Sequence, residues 1–405
     1  MDGRLDIRGA AGLRAWAVAL LALAASCGER PSHAADGGGL RVSVDTTAGV
    51  VRVRNAGRPV EWSLTELLTL GSVGGGAVPA PDEFGRIGNV IADAAGRIYV
   101  ADAIAHEVRV FGPDGALVRR IGREGGGPGE FGALQSIGWL GERLAVLDPR
   151  NGRLGLFSRT GEWLAQRPYM ALTGSGIRLY PAGAGELYMP MVRVTGAGTE
   201  LVYIRQTLEG PADTLPYRRG GTARPSLSVT CRHSAGRGIS VYTADLAPEM
   251  LRVPAPGVHW AEAWTADYRI AFTAPTGDTV RIIERDLPRL PVSDAAWQRE
   301  EAAFREFLDQ FPDERCEPDG LQRPEAMARL RTITFDDVGR MWVERRGEGG
   351  FMLDAFDPAG RLLGEVAVPD RLERVPPFIR GDRLYLVVVD EFEVEYVKVF
   401  DIAGA

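Results

Sequence analysis

Short apolar segments separated by turn dipeptides run through most of the chain after residue 40. The segments are rich in Val, Ile, Leu, Tyr and Phe, and pairs such as Asp114-Gly115, Thr160-Gly161 and Ala359-Gly360 punctuate them. This pattern is typical of strands joined by tight hairpins. No helical periodicity falls between residues 80 and 165. A βαβ architecture, which needs a helix between successive strands, is therefore not favoured.

The strand pattern repeats with a period of about 46 residues. One period carries Asp102 onto Asp148 and Phe111 onto Phe157, and a further copy begins at Gly339. A sheet of three or four short strands cannot bury both of its faces until neighbouring sheets stack on it. The repeat therefore predicts the blades of a β-propeller.

Two strings carry a resemblance to a known family. RIYVADAIAHEVRVFGPDG and GREGGGPGEFG look like NHL-type repeats, and the arrangement resembles the bacterial six-bladed β-propeller lipoproteins over residues 65–165 and 330–402. The resemblance implies an all-β fold, a six-bladed propeller over residues 40–405. About 60 residues per blade exceed the 40 to 45 of a compact blade, which indicates extra loops or, alternatively, a seventh blade. Residues 170–290 depart from the repeat.

Ring closure is predicted at the two ends of the propeller. The last blade has about three strands, Pro377 to Arg380, Leu384 to Asp390 and Glu395 to Ile402, and an early strand pair covers Leu40 to Val44 and Val50 to Arg54. An open ring would expose sheet edges and leave its core unsealed. We expect amino-terminal strand material to complete the final blade.

One helical insertion is predicted, at about residues 293–311. Ser293 can cap the helix and Pro312 can end it. Apolar side chains at helical spacing predict one packed face: Trp297, Phe304, Phe307, Leu308 and Phe311. We expect this face to pack on a blade edge or connection, and a lid or partner-docking helix is the alternative.

The amino terminus has the features of an export signal. Arginines precede an uncharged run from Ala15 to Ser26, which is too short to cross a bilayer as a helix. LALAASC resembles the lipobox of bacterial lipoproteins, which implies a signal peptide over residues 1–26 and lipidation of Cys27. Residues 27–39 then form a flexible tether. The protein is expected in the bacterial cell envelope, in the periplasm or at the outer membrane; cleavage nearby without lipidation is the alternative.

Charge and cysteine content limit the partners. The chain has 47 basic and 54 acidic residues and a net charge of -7, so nucleic acid is not an expected partner. Apart from Cys27, the cysteines are Cys231 and Cys316. In an oxidising compartment we expect them to form a disulfide; the alternative is a buried Cys231 and a free thiol at Cys316.

Recurring polar residues are candidates for chemistry. Asp102 and Asp148 occupy equivalent places, so we expect both to accept hydrogen bonds from turn amides rather than to hold a metal or act as acids and bases. His106 is predicted as a hydrogen-bonding turn residue. The glycine-rich GREGGGPGEFG lacks phosphate-loop spacing and is predicted to be a connection between blades.

The other polar candidates are weaker. A zinc site from His106, His233 and His259 would need three blades to converge, without any ligand spacing in the sequence, and His33 falls in the tether. No catalytic residue, metal or cofactor is predicted.

The acidic segment DEFEVEYVKVF is predicted to be a strand. Glu391, Glu393 and Glu395 would then share its wet face, while Phe392, Val394 and Tyr396 would face the other way. Carboxylates about 7 Å apart on one strand do not chelate calcium, so a calcium site is not favoured.

The expected function follows from the fold alone. A propeller offers a rigid ring with loops on two faces and a central channel, which suits a binding or scaffolding module for a protein, peptide or glycan. The lipid anchor would attach it to a membrane. The alternative is a metal-dependent propeller enzyme of the lactonase or lyase type, in which several polar side chains would converge around a metal at one mouth of the channel.

Overall fold

The computed structural model describes residues 39–74, 80–170, 178–183, 185–196, 198–217, 228–232, 239–257, 259–310, 315–317, 320–347 and 349–405. The predicted signal peptide, Cys27, His33, His233, Phe311 and Pro312 lie outside these residues. The described chain is built from strands and one α-helix, and that helix lacks the length and apolar character needed to cross a bilayer.

Three strands precede the first blade: β1 Arg41–Thr47, β2 Val50–Ala56 and β3 Glu61–Leu70. Blade 1 consists of β4 Ile87–Ala92, β5 Ile98–Asp102, β6 Glu107–Phe111 and β7 Leu117–Ile121. Blade 2 consists of β8 Ser136–Leu140, β9 Arg143–Asp148, β10 Arg153–Phe157 and β11 Trp163–Pro168. Both are antiparallel meanders, as the hairpin pattern predicted.

The next two blades fall in the region where the sequence repeat is lost. Blade 3 consists of β12 Tyr180–Gly183, β13 Glu186–Thr195, β14 Gly198–Gln206 and β15 Pro211–Pro216. The connection that follows carries β16 Ser228–Arg232 and β17 Ile239–Thr243. Blade 4 consists of β18 Met250–Ala255, β19 His259–Trp264, β20 Arg269–Thr273 and β21 Thr279–Arg285.

The connection from blade 4 to blade 5 holds β22 Leu290–Pro291, α1 Asp294–Asp309, β23 Arg315–Glu317 and β24 Ala326–Met327. Blade 5 consists of β25 Leu330–Phe335, β26 Met341–Arg346, β27 Phe351–Phe356 and β28 Leu362–Val368. Blade 6 has three strands from the carboxyl end, β29 Phe378–Arg380, β30 Arg383–Val389 and β31 Glu395–Ala403. Six blades are therefore present, and the seventh-blade alternative is wrong.

The amino-terminal strand β3 closes the ring. It pairs antiparallel with β31 from Ser63 opposite Ala403 to Leu70 opposite Val397, and so becomes the outermost strand of blade 6. Closure by amino-terminal strand material was predicted, but the predicted strand pair was wrong. The β1–β2 hairpin lies on blade 4 instead, where β2 runs parallel to β21. Which strand closes the ring therefore depends on pairing between strands that are distant in the chain, and the local sequence pattern does not show that pairing.

The hydrophobic core lies between neighbouring blades. Buried side chains form a separate cluster at every blade interface, including the one between blade 6 and blade 1, where Leu70, Ile87 and Val397 pack together. Each fully buried aliphatic side chain contributes about 1.5–3 kcal/mol. The ring is thus closed by apolar packing as well as by the β3–β31 ladder.

The hairpin turns at the outer pair of strands contain the predicted glycines. Gly115, Gly161 and Gly360 have φ values of 82°, 85° and 90°, in the left-handed region that favours glycine. Each donates its amide to the residue three positions earlier, as Gly115 does to Gly112 at 3.0 Å. These turns set the register of the outer strands.

The two long connections around blade 4 form one small unit, the inserted sheet β17–β16–β23 with α1 packed against it. Ser293 caps α1 and its hydroxyl accepts a hydrogen bond from the amide of Ala296, as predicted. Phe304 is buried against Cys231, with Phe307 and Leu308 beside it. The aromatic face of the helix therefore packs on a connection.

A disulfide joins Cys231 to Cys316 within the inserted sheet. The two residues are paired across β16 and β23, and their Cα atoms are 3.9 Å apart. The bond thus links the connection before blade 4 to the connection after it.

The acidic segment near the carboxyl end is not one strand. Residues 391–394 form the turn between β30 and β31, and Glu393 has a φ of 62°. The carboxylate of Asp390 accepts the amides of Phe392 and Val394 at 2.9 Å, which stabilises the turn. The predicted alternation of Glu391, Glu393 and Glu395 on one strand face is therefore wrong.

Candidate functional site

One face of the ring, the loop face, carries two kinds of loop. In a four-stranded meander, the connections that lead into the innermost strand of each blade and the loops between its second and third strands end on the same side. These connections lead into β4, β8, β12, β18, β25 and β29, so the long connections around blade 4 also start and end on the loop face.

A cavity of about 410 Å³ opens on the loop face. Its walls come from the starts of the innermost strands of blades 1, 2, 3 and 6 and from the β5–β6 loop, so it forms the mouth of the central channel. The residues of this channel mouth are Arg86, Gly88, Asn89, Ala103, His106, Gly132, Ala133, Leu134, Gln135, Arg178, Leu179, Arg374 and Pro376. Three of them are arginines and none is an acid.

The three arginines differ in how their charges are balanced. Arg374 pairs with the carboxylate of Glu395 and also donates to the carbonyl of Ile87. Arg86 is exposed, and no hydrogen bond or ion pair of its guanidinium is found among the described residues. Arg178 is half-buried, and its guanidinium lies 5.0 Å from the ring centroid of Tyr180. Two of the three positive charges at the mouth therefore have no carboxylate partner in the described chain.

The Nε of Arg178 is buried without a hydrogen-bond acceptor. Of the described arginines, five have such an Nε, but the others use further guanidinium nitrogens: Arg159, Arg252 and Arg285 pair with carboxylates, and Arg329 donates to a carbonyl. No such partner of Arg178 is found in the described residues. The two terminal nitrogens of Arg178, Nη1 and Nη2, are not among the buried atoms without a partner, so they are the part of the guanidinium that a ligand can reach.

An aromatic cluster supports Arg178. The ring of Tyr180 lies 5.7 Å from that of Tyr203, which in turn lies 5.1 Å from that of Trp260. Burial, together with the neighbouring Tyr180 and Tyr217, raises the pKa of the Tyr203 hydroxyl. Tyr203 is therefore neutral and supplies no negative charge to Arg178.

Further arginines lie behind the mouth. Arg371 is buried, and its Nε donates to both carboxylate oxygens of Glu344 at 3.0 Å. Burial lowers the pKa of Arg371 against the opposing effect of Glu344, and the charges of Arg331 and Arg178 lower it further. Arg178 and Arg331 thus act on the same side of the channel as Arg371, whose own charge is balanced by Glu344.

Neutral polar groups complete the mouth. The side-chain amide of Asn89 already has protein partners. It donates to the backbone carbonyl of Ile137 and accepts from the backbone N–H of Ile137, both at 2.9 Å. Gln135 is half-buried and its side chain has no hydrogen bond to the described residues. His106 has a φ of 54°, and its Nδ1 lies 3.1 Å from the carbonyl oxygen of Phe131. That contact fits the predicted turn role of His106 and leaves its Nε2 facing no described partner.

Both predicted aspartates have structural roles. Asp102 is fully buried and accepts the amides of Gly85 and Ala105 at 3.0 and 3.1 Å, with Arg109 beside it at 3.1 Å. Asp148 accepts the amides of Gly132 and Ala133 at 3.1 and 2.9 Å and lies 3.4 Å from Arg153. The predicted hydrogen bonds to turn amides are confirmed.

The other sequence candidates are dispersed. His259 begins β19 on blade 4, away from His106 on blade 1, and His233 lies outside the described residues. Among the described residues, no three His, Cys, Asp or Glu side chains come close enough together to hold a metal ion. The string GREGGGPGEFG is the connection from β7 to β8, as predicted.

A second group of charges is buried between blades 4 and 5. Asp354 and Glu365 accept hydrogen bonds from Arg285 at 2.5 and 2.6 Å, and Arg345 donates to the same two carboxylates. Burial raises the pKa of Tyr268, whose hydroxyl donates to Asp354 at 2.6 Å. Because every charge here has a partner, the cluster ties the two blades together.

No sequence pattern indicated Arg86, Arg178 or Gln135 as site residues. Each precedes an innermost strand by one or two positions, as Arg86 precedes Ile87 and Arg178 precedes Tyr180. That position could have been found by aligning the repeats, but only for blades 1 and 2. Blade 3 departs too far from the repeat for its first strand to be located.

One family model matches part of the chain. Residues 82–167 match the family DUF5128, described as a 6-bladed beta-propeller. No curated protein matches the chain.

Solved propeller structures cover most of the chain at low identity. A member of the DUF4221 family from Bacteroides vulgatus is 10% identical, over 86% of this chain and 100% of its own, with a TM-score of 0.41. Virginiamycin B lyase from Staphylococcus aureus is 11% identical, over 84% and 99%, with a TM-score of 0.39. Regucalcin, a calcium-binding protein from Agrobacterium tumefaciens, is 12% identical, over 85% and 97%, with a TM-score of 0.34. The chain is thus a six-bladed β-propeller, and its first two blades are similar to the DUF5128 family.

Proposed function

We propose that the protein is an exported binding module, held at a membrane by a lipid on Cys27, whose ligand docks in the channel mouth. The observation that carries the binding site is the cavity of about 410 Å³ with its unpaired polar groups. That volume lies within the usual range of ligand pockets, about 300–1,000 Å³. The ligand is a small molecule or an inserted part of a protein, peptide or glycan.

The walls of the mouth suit such a ligand. Ala103, Ala133 and Pro376 give it apolar surface, while Gln135 and Arg178 give it unpaired polar groups. A pocket of this composition binds by burying an apolar body and orienting it with a few polar contacts. Gln135, Arg178 and Pro376 lie one or two positions before the innermost strands, which hold them in place, so little ordering energy is spent on binding.

Ligands can be found by a thermal shift screen of the full-length protein in detergent. We expect compounds that raise the melting temperature of the parent, because binding to the native state stabilises it. Ala133→Trp fills the mouth and should abolish their effect. Ala165→Trp is the matched control, because Ala165 is exposed on the outermost strand of blade 2. Hits that persist in a folded Ala133→Trp protein would contradict the proposed site.

The anchor has its own test. Acylation needs the Cys27 thiol, so Cys27→Ser should move the protein from the membrane fraction to the soluble fraction. A parent protein that is fully soluble and carries no lipid by mass spectrometry would contradict the anchor but not the binding site. Turnover of a hit by the parent, lost on metal removal, would instead support an enzyme.

A further inference from the structure

The charged side chains that line the channel mouth are opposite in sign to the net charge of the chain. The protein has more acidic than basic residues, yet the mouth is lined by three arginines and no carboxylate. One of these arginines, Arg374, is neutralised by Glu395. The mouth therefore keeps the charges of Arg86 and Arg178, both without a carboxylate partner in the described chain.

Two acids of the loop face do not line the cavity. Glu249 lies just before β18 on blade 4 and Glu373 lies just before β29 on blade 6, and neither lines the cavity. An anion entering the mouth therefore meets Arg178 on blade 3 and Arg86 on blade 1 without an adjacent carboxylate in the cavity wall.

The side chain of Arg178 is prepared for a planar, bidentate contact. Its guanidinium lies over the ring of Tyr180 at 5.0 Å, and that ring packs in the aromatic cluster with Tyr203 and Trp260. The contact with the ring restrains the guanidinium, and its terminal nitrogens Nη1 and Nη2, unlike the buried Nε, are left to donate. A guanidinium held in this way matches the geometry of a carboxylate or a phosphate, to which it donates two parallel hydrogen bonds.

We infer that the channel mouth binds an oxyanion on an otherwise apolar ligand, with Arg178 as the anchoring residue and Arg86 as a second, more exposed cation. This inference rests on the proposed binding site and adds the class of ligand. Ala103, Ala133 and Pro376 contact the apolar body, and the side-chain amide of Gln135 donates beside the anion. A carboxylate and a phosphate monoester share the chemistry that this site recognises.

The test uses four probes with one apolar body: benzoate, phenyl phosphate, benzamide and benzamidine. Each probe is titrated into the full-length protein in detergent up to about 20 mM, a concentration range in which the weak binding of ligands of this size can be measured. Benzoate or phenyl phosphate should bind at least about tenfold more tightly than neutral benzamide, since a charge-assisted hydrogen bond contributes that much. Cationic benzamidine should not bind. The two anionic arms show whether carboxylate or phosphate is preferred.

Variants assign the effect to the mouth. Arg178→Met keeps the length of the side chain and removes its charge, and should weaken anion binding about tenfold or more. Arg178→Lys should restore part of the loss. Arg193→Met is the matched control, because it removes the same charge from the same blade on an exposed part of β13. Arg86→Met, at an exposed position, keeps the test decisive if Arg178→Met does not fold.

The outcomes separate the inference from the proposed function. Anion binding that is lost in both Ala133→Trp and Arg178→Met supports both. Suppose that binding is lost in Ala133→Trp, but that the parent binds benzoate and benzamide equally well and Arg178→Met binds them as tightly as the parent does. That result would support the site and overturn anion recognition. Absence of any ligand that depends on Ala133 overturns both.

Discussion

Buried aspartates stabilise individual turns of the ring by accepting hydrogen bonds from their backbone amides. Asp93 and Asp336 have the same arrangement at the turn after an innermost strand, where each carboxylate accepts hydrogen bonds from two turn amides. Each also accepts one hydrogen bond from a buried aromatic side chain, from the Tyr99 hydroxyl to Asp93 and from the Trp342 indole N–H to Asp336. Asp102 and Asp148 repeat a second arrangement on the loop face. Carboxylates recur in this fold because turns leave amides that no strand satisfies.

Asp102→Ala should destabilise the protein by about 3–5 kcal/mol, since it leaves the buried guanidinium of Arg109 without one of its two carboxylate partners and leaves turn amides without an acceptor. The measurement is the urea unfolding midpoint. Asp114→Ala is the control, because Asp114 accepts only the amide of Ala116 in an exposed turn. It should cost about 1 kcal/mol or less. Equal losses in the two variants would show that Asp102 is not a structural carboxylate.

Glu249 gives the clearest pH dependence. Glu249 is exposed, but partial desolvation of its carboxyl group, together with the charge of Glu373, raises the pKa of that group. The folded state then holds the proton more tightly than the unfolded state, so this contribution is present below the unfolded pKa and is lost as pH rises through the folded pKa. Glu249→Gln should raise the melting temperature by about 1 °C at pH 7 and leave it unchanged near pH 4. The effect is small because the side chain keeps solvent contact.

The measurement is a pair of calorimetric scans of parent and variant at the two pH values. A destabilised variant at pH 7, or the same difference at both pH values, would mean that ionised Glu249 is not disfavoured by folding.

At the scale of elements, blade 4 stands apart. Its interface with blade 3 has a small core, in which Ala182, Tyr188, Leu215 and Trp260 are the buried side chains. The disulfide between β16 and β23 spans 85 residues and encloses the whole blade. The inserted sheet thus holds the two ends of blade 4 together where apolar packing is least extensive.

Cys316→Ser should lower the free energy of unfolding by up to about 4–5 kcal/mol, the chain-entropy value for a loop of this size. The comparison is made without reductant, and reduction of the parent should produce the same loss. Cys27→Ser is the control and should leave unfolding of the propeller unchanged. A variant that unfolds like the parent would indicate that losing the cross-link adds little conformational entropy to the unfolded chain.

The sequence predicts some elements far better than others. The 46-residue repeat, the turn glycines and the Ser293 cap are local patterns, and the structure contains the blades, turns and helix that they predict. Blades 3 and 4 were predicted only as part of a six-bladed ring, and their strands and the inserted sheet were not located because they depend on partners distant in the chain. The segment at Glu391 was read as a strand because alternation does not reveal that Asp390 caps a turn.

At the scale of the whole molecule, closure depends on one strand. The β3–β31 ladder runs from Ser63 to Leu70, and Lys398 pairs with Glu66 at 2.9 Å from 332 positions away. No local pattern could indicate this pairing, which is why the hairpin at residues 40–54 was the predicted closing element. The unpaired state of Arg178 was equally invisible, since it depends on what the ring places around it.

Deletion of residues 61–70 should prevent stable closure, lowering the melting temperature by more than about 15 °C or abolishing the transition. Deletion of residues 41–56 should have a smaller effect, although it removes the buried Val53 and the hydrogen bonds of Asn55 to blade 5. Thermal melts followed by circular dichroism compare the two. If the hairpin deletion proved the more damaging, β3 would not be the strand that seals the ring.

The position of β3 at the start of the chain also fixes the order of events during biosynthesis. At about 5–20 residues per second, the ribosome takes roughly 15–70 s to add the stretch that separates Glu66 from Lys398. During that time blade 6 does not exist, and the apolar side of β3 has no partner. A nascent chain cut short before β31 has five blades and a loose first strand, which marks it for chaperones and proteases, whereas completion of the last nine-residue strand closes the ring in a single step.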